Sequence, residues 1–180
     1  LAYSSIAHAG YMLMAMASST KIGVSSIALY LIFYFLMNFG AFLVVIILSN
    51  QLKTEFINDY EGLAWRNKYG AFMAVVFSIF LFSLIGLPPF AGFIGKFYLF
   101  LPLFYQGSKL MWLAIIGIIN TVISLYYYMR IVRNMFLRGV KDNPEFQILK
   151  PSFFEFLLLT SLSVFTLIFG IYWTPILNFC

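Results

Sequence analysis

The stretch Ser83-Leu-Ile-Gly-Leu-Pro-Pro-Phe-Ala-Gly-Phe-Ile-Gly-Lys-Phe97 decides how this chain is read. It places two consecutive prolines and a lysine within an otherwise apolar run. Proline lacks the backbone N–H and clashes with the preceding turn, so Pro88-Pro89 stops the helix before it. Lys96 follows seven residues after Pro89, about 10 Å beyond the break at a helical rise of ~1.5 Å per residue. Small residues surround it: Gly92, Gly95 and the Ala91-x-x-x-Gly95 spacing let a second helix approach closely. Pro102 is expected to interrupt the segment again beyond Lys96.

Outward from that stretch, the composition excludes a soluble fold. Of 180 residues, 63% are hydrophobic and only 9% charged, against roughly 25% charged in soluble domains. The mean hydropathy is +0.95. A chain this small has too little interior to hide so much apolar surface, so lipid is its solvent. A soluble enzyme, a disordered tail and a secreted disulfide scaffold are excluded together.

A helix needs roughly 20 apolar residues to cross a bilayer, and six segments are predicted to do so: about 1–18, 24–50, 69–87, 90–105, 110–136 and 153–176. The expected fold is all-α, one polytopic transmembrane bundle over 1–180. The linker 51–68 has Phe56, Ile57, Tyr60, Leu63, Ala64 and Trp65 at helical spacing. It reads as an amphipathic interfacial helix with Trp65 and Tyr69 at headgroup depth, or as an ordinary structured loop. With six crossings, Lys21 joins Arg130, Arg133, Arg138, Lys141 and Lys150 on one face. Lys53, Arg66, Lys68 and Lys109 fall on the other, and six against four puts the 137–152 loop in the cytoplasm or matrix. The net charge of +5 is then a topology signal, and no nucleic-acid partner is expected. Phe (22) and Tyr (12) abundance hints at an organellar gene and the mitochondrial inner membrane, with a bacterial plasma membrane or thylakoid as alternatives. The start at Leu1 suggests a piece of a longer or split protein.

Polar residues inside a membrane carry the functional information. A lysine at a helix centre costs about 2.5–3.5 kcal/mol on insertion scales. Lys96 is therefore either a snorkelling side chain or a site that releases and regains a proton. Interrupted helices at membrane depth are tolerated only within protein or beside a cavity, and ion-handling proteins build their sites from them. His8, the sole histidine, shares a helical face with Ser4 and Tyr11 and is either a relay or a satisfied hydrogen-bonding group. Tyr30, Tyr34 and Asn38 form a polar stripe at four-residue spacing, and Asn120, Thr121 and Ser124 a second. Such stripes serve as helix–helix glue more often than as conduits. Tyr126-Tyr127-Tyr128 before Arg130 and Arg133 reads as an aromatic belt. Cys180 is the only cysteine, so no disulfide or metal cluster is expected. No phosphate loop, metalloprotease motif or nucleophile elbow occurs, which leaves proton or ion handling rather than substrate chemistry.

These residues carry a resemblance. Leu1-Ala-Tyr-Ser-Ser-Ile-Ala-His-Ala-Gly-Tyr11 resembles the opening of a middle helix in the antiporter-like subunits of respiratory complex I, NADH:quinone oxidoreductase. The 83–97 stretch resembles their discontinuous later helix. Asn120-Thr-Val-Ile-Ser-Leu-Tyr-Tyr-Tyr-Met-Arg130 is most similar to the chain 2 branch, and a lysine at 96, where the chain 4 branch tends to have glutamate, agrees. The resemblance implies a bundle of about fourteen helices of which this chain supplies the last six. It implies Lys96 in a central proton path, with His8 in the same polar axis. Asn38 stands near where some sister subunits keep a lysine, so that proton site is not here in that form. The implied partners are the N-terminal half, as a separate polypeptide or a preceding part of the chain, and other membrane subunits of the complex. NADH, flavin, iron–sulfur and quinone are expected elsewhere in the assembly, with no cofactor held here. A cation/proton antiporter subunit and a structural sealing subunit are the competing readings.

Overall fold

The computed structural model describes residues 1–53, 56–105, 107–139 and 150–172, and among these the regular elements are helical. The order is α1 (Ala2–Ala17), α2 (Lys21–Leu52), a 3₁₀ turn (Ile57–Tyr60), α3 (Leu63–Arg66), α4 (Lys68–Ile85), α5 (Ala91–Tyr105), α6 (Ser108–Leu137) and α7 (Phe153–Ile171). The starts of α2, α4 and α7 are set by capping side chains that satisfy orphan N–H groups. Thr20 accepts from the Gly23 N–H and Asn67 from that of Gly70. Ser152 and Glu155 form a capping box on α7. Gly86, in the left-handed region at φ 86°, closes α4, and its N–H reaches the carbonyls of Phe82 and Ser83.

Among the described residues four helices are long and apolar enough to cross a bilayer: α2, α4, α6 from Lys109, and α7. Helices α1 and α5, at 16 and 15 residues, fall short of roughly 20. The expected end of the last segment at residue 176, and Cys180, lie outside the described residues.

Helix α2 is the ruler of the fold. At 32 residues it is about 48 Å long. Near its middle, Gly40 faces the Phe80 ring and Met37 Sδ accepts from Ser83 Oγ, both on α4. Further towards its N-terminus, Tyr30 and Phe33 lie against Gly95 of α5. Moving back along α2 thus meets first α4 and then α5, so α5 continues in the direction of α4. The Pro88-Pro89 break, a cis peptide, offsets one column; it does not turn the chain between two separate crossings as the sequence reading expected. Pro102 needs a second correction, because α5 runs through it to Tyr105. Helix α7 rises beside this column, from Phe156 packed at a tilt against Phe72 to Gly170 against the Pro89 carbonyl.

The same topology overturns the expected placement of the linker on the face opposite the α6–α7 connection. Trp65 Nε1 donates to the Phe136 carbonyl at 2.8 Å, and the Gly62 N–H to that of Asn134 at 3.0 Å. Arg138 pairs with Glu61, and Gln51 exchanges two hydrogen bonds with the Lys150 backbone. The linker and both described ends of the α6–α7 connection therefore share one end of the bundle. Lys53, Arg66, Lys68, Arg130, Arg133, Arg138 and Lys150 gather towards that end, against Lys21 and Lys109 at the other. Bringing the linker and the α6–α7 connection to one end turns a near balance into a pronounced basic bias.

The linker is not one amphipathic helix over its described residues. Gly62, at φ 67°, separates the 3₁₀ turn from the single turn of α3. Tyr60 and Leu63 pack inward while Trp65 is 70% exposed. Arg66 Nη2 donates to the carbonyls of Asp59 and Glu61 at 2.7 and 3.0 Å, which ties the two short turns together. Burial pushes the Arg66 guanidinium down from its usual value, opposed by Asp59.

Candidate functional site

The break in the α4–α5 column creates the site. In an α-helix the carbonyl of residue i accepts from the N–H of residue i+4. The carbonyls of Leu84 and Ile85 would look to residues 88 and 89, and both are prolines without an N–H. Lys96 supplies the missing donors: its Nζ lies 2.9 Å from the Leu84 oxygen and 2.8 Å from that of Ile85. Its third direction faces the Tyr11 ring, 4.9 Å from the centroid, a favourable cation–π placement. Lys96 is 4% exposed, so it does not snorkel out of this bundle.

Small residues allow that geometry. A Cβ on Gly92 would fall 1.8 Å from the Ser83 carbonyl oxygen, and one on Gly86 would fall 2.9 Å from the Lys96 side chain. Ser83 Oγ accepts from the Gly92 N–H at 3.1 Å, stitching the end of α4 to the first turn of α5. The described acids Asp59, Glu61 and Glu155 lie in the linker or the first turn of α7, away from Lys96. Backbone oxygens and a ring face, rather than a carboxylate, hold the ammonium.

Several of the other predicted polar residues line up in a row that meets Lys96 at Tyr11. On α1, Ser4, His8 and Tyr11 are all buried on one face. Ser4 accepts from the Tyr128 hydroxyl. One turn on, His8 Nδ1 lies 2.5 Å from the Tyr30 hydroxyl, and its ring lies 4.9 Å from that of Tyr34. Another turn on, the Tyr11 hydroxyl accepts from Asn120 Nδ2 at 3.1 Å and meets Thr121 Oγ1 at 3.2 Å. Ser124 is buried and donates to the Thr121 carbonyl, which makes it helix scaffolding. Asn38 stands half-buried farther along α2 and joins none of these contacts. A cavity of about 190 Å³ opens beside Lys96 between α5 and α6, with Gly86, Phe100 and Thr121 in its wall.

Two features escaped the sequence reading. Tyr128, taken there as part of an aromatic belt, is buried and bonded to Ser4, while Tyr126 alone of the three is strongly exposed. Helical spacing could have found this, since Tyr128 lies seven residues after Thr121 and shares its face. The second is the carbonyl pair at 84 and 85, which the Pro-Pro dipeptide orphans by simple counting. Among the described residues there is no cluster of three or more His, Cys, Asp or Glu that could hold a metal.

Apolar helices long enough to span, a helix broken at two prolines and an ionisable group held in the interior together define a polytopic helical membrane protein with a buried charge site. Residues 1–124 match the family described as NADH:quinone oxidoreductase/Mrp antiporter, TM, and the chain belongs to that family. It is 46% identical over 185 residues to NADH-quinone oxidoreductase subunit N of Anaeromyxobacter sp., covering 99% of this chain and 35% of that protein. Against subunit N of Chlorobium chlorochromatii the identity is 43%, covering 99% and 34%. Against the chloroplastic NAD(P)H-quinone oxidoreductase subunit 2 of Chaetosphaeridium globosum it is 44%, covering 79% and 27%. A chain of respiratory complex I from Thermus thermophilus with bound aureothin superposes with a TM-score of 0.74 at 28% identity, over 95% of this chain and 37% of that one. The chain thus spans about a third of the length of the curated relatives it matches.

Proposed function

We propose that this chain is the C-terminal part of an antiporter-like membrane subunit, of the subunit N or chain 2 type, in a proton-translocating NADH:quinone oxidoreductase. Lys96 is its proton-carrying group and His8 a neighbour on the same path. The observation that carries this reading is the cradle of Lys96. Two proline-orphaned carbonyls and a ring face hold the buried amine, and among the described residues no carboxylate pairs with it, so its charge answers to groups that come and go along the bundle. The row Tyr128–Ser4, His8–Tyr30 and Tyr11–Asn120–Thr121 offers hydroxyls and an imidazole able to pass protons onward.

In this role the chain performs no redox chemistry. NADH, flavin, iron–sulfur and quinone belong to other subunits, and the remaining family length comes from a preceding segment or a partner chain. The bundle crosses the membrane five times, α4 and α5 sharing one crossing and α1, close to the ~17-residue lower limit, supplying another. The basic linker end faces the cytoplasm or matrix. The relatives above are bacterial and chloroplast proteins, which favours a bacterial plasma membrane over the mitochondrial inner membrane inferred from composition.

The topology is checked with single cysteines replacing Lys53, Arg138 and Lys109 in a background where Cys180 is serine. A membrane-impermeant maleimide should label positions 53 and 138 from the same side and 109 from the other. Labelling of 53 and 138 from opposite sides would restore the six-crossing arrangement. The assignment is tested by isolating the tagged chain in mild detergent and identifying its companions by mass spectrometry. Recovery in a large NADH-oxidising assembly is the expected result. The family description also names Mrp antiporters, and recovery with cation-antiporter subunits, with sodium-dependent transport and no NADH oxidation, would select that second reading.

A further inference from the structure

A groove runs along one face of α6 and shares no lining residue with the cavity beside Lys96. It encloses about 640 Å³ and extends from Val122 to Arg138, some 24 Å of helix. Its inner part is apolar, with Val122, Tyr126 and Met129 in the wall, and its outer part carries Arg130, Arg133 and Arg138. Tyr126 is 78% exposed. Arg138 is engaged by Glu61 and its side chain is still half exposed, while Arg130 and Arg133 are exposed on successive turns.

We propose that this face of α6 binds an acidic phospholipid. Its acyl chain lies in the apolar part of the groove and its phosphate between Arg130 and Arg133. Charge complementarity selects the occupant. The arginines sit at the end of the bundle where basic residues gather, the depth at which phosphodiester headgroups lie. Arginine's planar fork binds phosphate oxygens in pairs. Basic pockets beside transmembrane helices on that side recognise anionic headgroups. A protein occupant would have to bring carboxylates to the arginines and apolar side chains to a groove about 24 Å long, whereas one lipid molecule brings both chemistries in that order. The inference needs α6 to cross a bilayer with this face turned to lipid in the assembly, and it is independent of any proton path through Lys96.

The test uses native membranes carrying the tagged chain in its own assembly, with photoactivatable phosphatidylglycerol or phosphatidylcholine bearing the same acyl-chain photoprobe. After irradiation, labelled peptides are mapped by mass spectrometry. Phosphatidylglycerol should label residues 122–133 about fivefold or more above phosphatidylcholine, one surface arginine being worth roughly that factor. Arg130→Gln with Arg133→Gln should bring the two lipids level. Equal labelling in the unmutated chain would reduce the groove to ordinary lipid contact and overturn the proposal. Absence of lipid label would overturn it too, and a photoreactive side chain at position 126 giving a protein adduct would then assign the groove to a protein partner.

Discussion

Lys96→Met, introduced into the assembled complex, is expected to cut proton translocation to about a tenth of wild type or below, a barrier increase of ~1.4 kcal/mol or more. NADH oxidation should survive in uncoupled membranes. Methionine keeps the length and apolar stem of lysine, so it fills the same slot beside Gly86 and Tyr11. It cannot carry a proton, and among the described residues the other buried charged side chain, Glu61, lies in the linker and is paired with Arg138. The substitution also leaves the Leu84 and Ile85 carbonyls without donors, at a cost of about 1–3 kcal/mol each, so membrane levels must be measured alongside pumping. Lys96→Arg separates the two roles of the side chain. Arginine keeps the charge and the donors but does not release its proton in proteins. Loss of pumping in both variants, at normal chain levels, identifies a carrier. Normal pumping by Lys96→Arg would leave Lys96 a fixed structural charge. Normal pumping by Lys96→Met would reduce this chain to a seal. Reconstituted vesicles with an internal pH dye provide the readout.

How much of this was legible in the sequence depends on the range of the interaction. Solvent class follows from composition and helical segments from local hydrophobicity, and most apolar runs in the sequence coincide with helices between Ala2 and Ile171. The grouping of Ser4, His8 and Tyr11 on one face was legible because helical periodicity alone sets it. The direction of the chain after Pro88-Pro89 was not, since a proline pair stops a helix equally well before a reversal or an offset. Only the contacts of α2 with Ser83 and Gly95 distinguish the two. That one ambiguity propagated, because every loop after the break changed sides and the tally of Lys and Arg changed with it. Pro102 failed for another reason. A proline removes one hydrogen bond, and within a packed membrane helix neighbouring groups can absorb that loss. Tyr128 was misread because three adjacent tyrosines look alike in sequence, although successive helical positions turn by 100° and face different surroundings.

The tight junction between α4 and α5 makes a second large effect expected, on folding. Gly92→Ala should strip the chain from membranes, or destabilise it by about 4 kcal/mol or more, the range reserved for core overpacking and strain. The added Cβ would sit 1.8 Å from the Ser83 carbonyl oxygen and 2.7 Å from its carbon. Both are backbone atoms at the end of α4, so no rotamer change can relieve the clash. To accommodate it, α5 must shift away from α4, which breaks the Ser83–Gly92 hydrogen bond and withdraws Lys96 from the two orphaned carbonyls. Gly10→Ala is the matched control, because nothing lies within 4 Å of the Cβ it adds on α1. There the exchange removes the backbone freedom of a mid-helix glycine and should stabilise by roughly 0.5–1 kcal/mol. Thermal unfolding in detergent should therefore move in opposite directions for two identical chemical changes. Equal melting temperatures for Gly92→Ala and wild type would mean that the α4–α5 junction is loose. The support of Lys96 by the broken helix would then fall with it, whatever the pumping assays gave.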